Sequence, residues 1–130
     1  MNMIKTYNHG VSWEEAFGLT QGYMANDTIY ISGQFSHSMD GSFVGEGDFE
    51  AQARQTLKNL DSVLAGFGVT RSNIAEMEIF LTKPEEHFEQ CVTLFKEYVG
   101  DHQPAGTLVG TSGLAFPHQL IEIRAVAHTN

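Results

Sequence analysis

Between Asp48 and Gly100 the apolar residues change period twice, and no other feature restricts the folds open to this chain as strongly. Ala53, Leu57, Leu60, Leu64 and Phe67 recur at spacings of three and four, which places them along one stripe of a helix. Asp48 suits its N-cap, and Gly68 suits the residue that closes it. Residues 74–81 then alternate, with Met77, Ile79 and Leu81 on one face of a strand and Glu76, Glu78 and Phe80 on the other. The helical period returns in Phe88, Cys91, Val92, Phe95 and Val99. Thr82 with Glu85 has the capping-box spacing, Pro84 fits a first helical turn, and the second helix is expected to end near Gly100. Helices with a single apolar stripe cannot form the middle of a core. They have to lie on one face of a sheet.

The remaining pattern supplies the sheet. Thr28 to Ser32 alternates Ile29 and Ile31 with Tyr30 and Ser32, and Gly33 ends the run. Thr107 to Ser112 and Leu120 to Ala127 read as two late strands joined by a turn around Pro117 and His118. Extended pieces are also expected near Met3 to Asn8 and Phe17 to Met24, and Ser36 to Gly47 reads as a loop rich in Gly, Ser and Asp. The order β-β-β-α-β-α-β-β predicts an α+β fold, a mixed sheet with two helices on one face, and no break in composition divides residues 1–130 into more than one domain. The other face would carry Tyr30, Ser32, Glu122, Arg124 and Val126, a set too apolar for plain solvent and too polar for a core. An oligomer interface is the expected cover.

Charge narrows the partners. Seven Lys and Arg against sixteen Asp and Glu leave a net charge of −9, with the acids spread over both halves and no basic tail or patch. Nucleic acid and anionic membrane surfaces are therefore not expected partners, because both are bound through clustered cations. No run of eighteen apolar residues is present to span a membrane. The lone Cys91 has no intramolecular disulfide partner and the opening residues hold no signal-length apolar stretch, so a reducing, cytoplasmic compartment is expected.

Few side chains stand out as candidates for chemistry. Glu122 lies within an otherwise apolar strand, where a carboxylate is either salt-bridged or kept for a purpose such as general-base work. Ser32 can offer a hydroxyl to a ligand and Gly33 a close approach to backbone, unless the pair simply ends a strand. Cys91 falls on a helix stripe and reads as core. The six histidines show no metal-ligand spacing, and no metal or cofactor is expected. His102 and His118 are either surface loop residues or proton shuttles near a cleft. Gly45-Glu46-Gly47 lacks the lysine of a phosphate loop, and Gly110-Thr111-Ser112-Gly113 lacks the frame of a nucleophile elbow. Trp13 and Phe17 either shield a cleft or staple the N-terminal segment to the core.

Several fragments in order resemble the YjgF/RidA family of reactive-intermediate deaminases, some members of which carry endoribonuclease or translation-inhibitor names. They are Ile31-Ser32-Gly33-Gln34, Gly47-Asp48 leading to Ala51-Gln52-Ala53 and Asn59-Leu60, Gln103-Pro104-Ala105, and Leu120-Ile121-Glu122-Ile123 with Ala125 and Ala127. The resemblance implies a chorismate-mutase-like fold, a homotrimer with active sites in clefts between subunits, and cofactor-free hydrolysis of enamines and imines. It implies catalysis by Glu122, with Ser32, Gly33, Gly106, Thr107 and Arg124 as substrate-binding candidates. Family deaminases hold an arginine after the Pro-Ala step, a cysteine two positions on and a tyrosine further upstream. This chain has Gly106, Leu108 and Leu19 there and resembles the arginine-lacking branches. Arg124, about 7 Å along the strand from Glu122, is either a relocated anion clamp or half of an ion pair with a carboxylate such as Glu122. Three functions are thus expected to compete: a hydrolase acting on a C=N compound, a trimeric small-ligand-binding protein without catalysis, and an RNA-cleaving role that the charge argues against.

Overall fold

In the computed structural model, which describes residues 4–130, six strands build one mixed sheet: β1 Ile4–Tyr7, β2 Gly22–Ala25, β3 Thr28–Gln34, β4 Ile74–Leu81, β5 Ala105–Gly110 and β6 Ile121–His128. They pair in the order β1-β2-β3-β6-β4-β5. All pairs are antiparallel except β4 with β5, which run parallel because a helix crosses between them. The helices are α1 Ser12–Phe17, α2 Phe49–Gly66 and α3 Pro84–Val99, with a 3-10 turn at Arg71–Asn73 before β4. The α+β class and the two helices over one sheet face follow the periodicity.

The helix α2 begins where Asp48 accepts a hydrogen bond from the Ala51 N–H at 3.0 Å. It ends where Gly68 takes up a left-handed φ of +73°, a conformation glycine adopts without steric cost. Its stripe of Ala53, Leu57, Leu60, Val63 and Leu64 is buried with Ile29 and Ile31 of β3, Met77 and Ile79 of β4, and Ile121, Ile123, Ala125 and Ala127 of β6. The sheet's central strand therefore keeps its odd-numbered residues inside and turns Glu122, Arg124 and Val126 to the open face.

Four expectations needed correction. Phe17 closes the short helix α1 rather than opening a strand, and it is exposed, so Trp13 and the buried Val11, not Phe17, tie this segment down. Local capping decides this: the Glu14 carboxylate accepts the N–H groups of His9, Gly10 and Val11 at 2.8, 3.1 and 3.1 Å, and six residues are too few to show a period. Thr82 does not cap α3, because its own N–H donates to the Leu120 carbonyl at 3.2 Å and Lys83 occupies the N-cap without a side-chain bond. The stripe of α3 is also rotated. Leu94 and Tyr98 are buried with Cys91, whereas Phe88 and Val92 are exposed. The helix leans toward α2, where the Tyr98 hydroxyl donates to Asp61 at 2.7 Å, and its Phe88 flank overhangs the edge strand β5, whose helix-facing residues are only Gly106, Leu108 and Gly110. The late strand begins at Ala105, two residues earlier than expected; Met3, expected in the first strand, lies outside the described residues. Among the described residues no helix is long and apolar enough to cross a membrane.

Leu60 is wholly enclosed between α2 and the sheet. Leu60→Ala should lower the unfolding free energy by about 2–5 kcal/mol, read as a lower urea midpoint at unchanged slope.

Candidate active site

The site starts from a register fault. Ile31 pairs with Ala125 and Gln34 with Ile123, so Ser32 and Gly33 together stand opposite Arg124 alone, the geometry of a β-bulge. The bulge carries the Gly33 backbone against the Glu122 side chain, and a β-carbon at Gly33 would overlap Glu122 Oε2. Buried amides pin it in place. Gln34 Nε2 donates to the Ser32 carbonyl and to Gln21 Oε1, each at 2.9 Å. With both amide protons spent, Gln34 Oε1 accepts from His9 Nε2 at 2.8 Å, and His9 Nδ1 is left to accept the Tyr7 hydroxyl at 3.3 Å. The Ser32 hydroxyl donates to the Thr20 carbonyl at 2.7 Å.

Glu122 projects from the open face beside Phe80, its partner in register. Its Oε1 accepts from Nε2 of the buried Gln119 at 2.9 Å. Gln119 also borders a cleft of about 500 Å³ at the ends of β4 and β5, lined by Thr82, Ser112, Leu114, Phe116 and His118. Phe116 stacks on Phe35 with ring centroids 4.8 Å apart, and Trp13 packs on both at 5.3 and 6.3 Å. Glu122 and the Ser32-Gly33 bulge thus meet at one end of the sheet, and Gln119 joins the carboxylate to the border of this cleft. A carboxylate with one oxygen anchored, above backbone that admits close approach, can orient a water and accept its proton.

The other candidates lie elsewhere. Arg124 pairs with Glu78, its neighbour across the strands, at 3.4 Å and not with Glu122. Thr107 stands next to Glu78 in register, on the open face. Gly106 pairs with Met77 and so faces the helices, opposite to Glu122, at the base of an apolar hollow of about 210 Å³ with Phe88, Cys91, Phe95 and Leu108. His102 is bonded to the Ile74 carbonyl at 2.6 Å, at the far end of β4 from Glu122, while His118 sits on the rim of the cleft, 3.3 Å from Glu46. Cys91 is buried, and desolvation pushes its thiol up to about 11.

A sequence profile of the family described as Endoribonuclease L-PSP matches residues 12–129. The chain belongs to this family, the YjgF/RidA group. A RutC family protein of Escherichia coli, YjgH, is 35% identical over 92 residues, 70% of this chain and 69% of its own length. A solved structure of YjgH superposes with a TM-score of 0.82 at 30% identity, covering 95% of this chain and 93% of the other. YyfA of Yersinia pestis, described as a Rid-family protein of unknown function, gives 0.79 at 33% identity over 85% and 86% of the two chains. Rv2704 of Mycobacterium tuberculosis, at 20% identity, shares the fold with a TM-score of 0.87 over 98% and 100%.

Within this YjgF/RidA scaffold the spacing of the sequence does not reveal the polar residues that support the site: the buried Gln119, Gln34 and His37, and the half-buried His9 bonded to Gln34. Gln34 lies in a fragment already noted, but nothing in the spacing shows that its amide holds the bulge. His37 is wedged between Trp13 and Phe35, at 4.7 and 4.8 Å, and the Asn59 side chain of α2 ties down the carbonyls of Phe35 and His37 at 2.9 and 3.0 Å. Burial holds the His37 imidazole below its ordinary titration range, against a smaller upward pull from the Ser38 carbonyl. The unfolded chain thus takes up a proton near pH 6.5 that the folded chain refuses. Stability from this residue is complete above that pH and falls as the pH drops toward the lower folded value. His37→Gln should shrink the fall in urea midpoint between about pH 7.5 and 5.5, and an undiminished fall would remove His37 as its source.

Proposed function

We propose that the protein is a small cytosolic hydrolase of an imine, enamine or related C=N compound, working as a homotrimer with its sites between subunits. The observation that carries this is the Glu122 carboxylate, bonded through one oxygen to Gln119, which borders an open cleft, and set against the Gly33 bulge through the other. Family membership supports the same reading. In the reaction Glu122 takes a proton from a water as the water oxygen bonds to the C=N carbon and the π electrons move to nitrogen. The protonated carboxyl returns that proton to nitrogen, and collapse of the carbinolamine releases ammonia and the carbonyl compound. The Ser32-Gly33 backbone borders the substrate.

Gly106 and Glu122 face opposite sides of one chain's sheet, so a site using both takes the β5 edge of one subunit and the open face of its neighbour. That face exposes Tyr23 and Tyr30 beside Val126, which an interface would cover. Substrate selectivity follows from charge. All three arginines are ion-paired, Arg54 with Glu50 and Glu97, Arg71 with Asp61 and Arg124 with Glu78, and Gly106 offers no guanidinium. An α-carboxylate on the substrate therefore gains no two-pronged guanidinium clamp, and Lys83 on the border of the cleft can offer only a point charge. That lack is also what favours the second reading, a trimeric binding protein that has lost turnover.

Light scattering should give the mass of three chains, with each pairwise contact burying more than about 1,000 Å²; a monomer at micromolar concentration removes the intersubunit site. Among imines generated in situ from amino acids and from uncharged amines, those with an α-carboxylate should be turned over no faster than neutral ones, and Gly106→Arg should shift the preference toward them. Glu122→Gln should keep the assembly and lower turnover by roughly 10²–10⁴-fold. No acceleration of any imine would favour the binding protein.

A further inference from the structure

Resting on the reading of Glu122 as base, we propose that Gln119 is the positioning residue of the site, a neutral buried donor that fixes which carboxylate oxygen faces the substrate. Its orientation is forced by its surroundings. Nε2 meets two acceptors, Glu122 Oε1 at 2.9 Å and the Ile121 carbonyl at 3.2 Å, while its Oε1 receives the Phe116 N–H at 3.4 Å. The reversed amide would set oxygen against a carboxylate and a carbonyl, and its NH2 group against an N–H. Gln119 is 2% exposed, so water does not compete for these bonds.

The alternative partner for Glu122 is Arg124, on the same face two residues along the strand. An ion pair there would engage the carboxylate's charge. The structure keeps the two apart: Glu78 takes the guanidinium and Gln119 takes Oε1. Oε2 is left against the Gly33 backbone, where a β-carbon would overlap it. A neutral amide is suited to this task, because it holds direction without supplying a countercharge. Gln119 does not touch the reacting atoms in this scheme; it acts through Glu122 and through the turn that borders the cleft.

Gln119→Met, close in size but without a donor, tests the assignment in the assembled protein. The kcat on the best imine should fall about ten- to a hundredfold with KM within about twofold, the mark of lost alignment rather than lost binding. An unchanged kcat in a folded variant overturns the proposal. A second measurement leaves position 119 intact, and therefore still decides the matter if the methionine variant does not fold. In a proton–nitrogen correlation spectrum, one of the two Gln119 side-chain amide protons should shift and exchange faster in Glu122→Ala, and an unmoved pair overturns the proposal. A native protein that hydrolyses no C=N compound would defeat the proposed reaction alone, since the spectrum still shows whether Gln119 orients the carboxylate.

Discussion

Two helices with one apolar face each, laid on a six-stranded sheet, leave the opposite sheet face without cover from its own chain. The helices supply nearly all the apolar contact, through α2 against β3 and β6 and through α3 leaning on α2. The uncovered face holds Tyr23, Tyr30, Phe80 and Val126 among Glu76, Glu78, Glu122 and Arg124. The one cross-strand ion pair on it among the described residues, Arg124 with Glu78, is partly exposed, and such pairs contribute about 0–1 kcal/mol. Charge pairing therefore does little to compensate the wet aromatic surface. The face that folding leaves uncovered is also the one from which Glu122 projects.

The bulge in β3 turns this open face into a site. An unbroken strand would place a side chain beside Glu122 and keep the backbone at the ordinary interstrand spacing. The extra residue puts Gly33 there instead, and the Gln34, Gln21, His9 and Tyr7 network satisfies the polar groups beneath it. Bulges locally disrupt the ladder, and a buried network that left one of its members unpaired would be costly. Here every donor on Gln34 has an acceptor, so the irregularity is held rigidly. Gln119 does for the carboxylate what Gln34 does for the backbone. Both are neutral amides, and neither adds charge to a chain that already carries −9.

Gly106 bears on both assembly and selectivity. Its absent side chain leaves Phe95 3.8 Å from where a β-carbon would stand and opens the apolar hollow between α3 and the β5 edge. A cation introduced there would enter an apolar setting on the helix side, not the neighbourhood of its own chain's Glu122. Within one chain, Gly106 and Glu122 lie on opposite faces of the sheet.

The period of the apolar residues was enough to place α2, β4 and the central strand β6 and to assign Glu122 to the open face, because burial on one side of a helix or strand writes itself into spacing. Family fragments around Ser32-Gly33 marked the region of the bulge. The short helix α1, the rotation of α3 and the N-cap at Lys83 were not legible, since each is decided by a local hydrogen bond or by the neighbouring helix. Arg124 shows the limit clearly: the sequence placed it on the face of Glu122, but register across β4 gave it Glu78 instead. Gln119, Gln34 and His9 carry no periodic signal, for a buried amide is chosen by the partners it meets in space. The sequence alone determined the layers, the placement of Glu122 on the open face and the absence of an arginine at position 106. The tertiary structure decided which oxygen of that carboxylate is free, because hydrogen-bond direction depends on contacts between strands and turns that spacing along the chain does not encode.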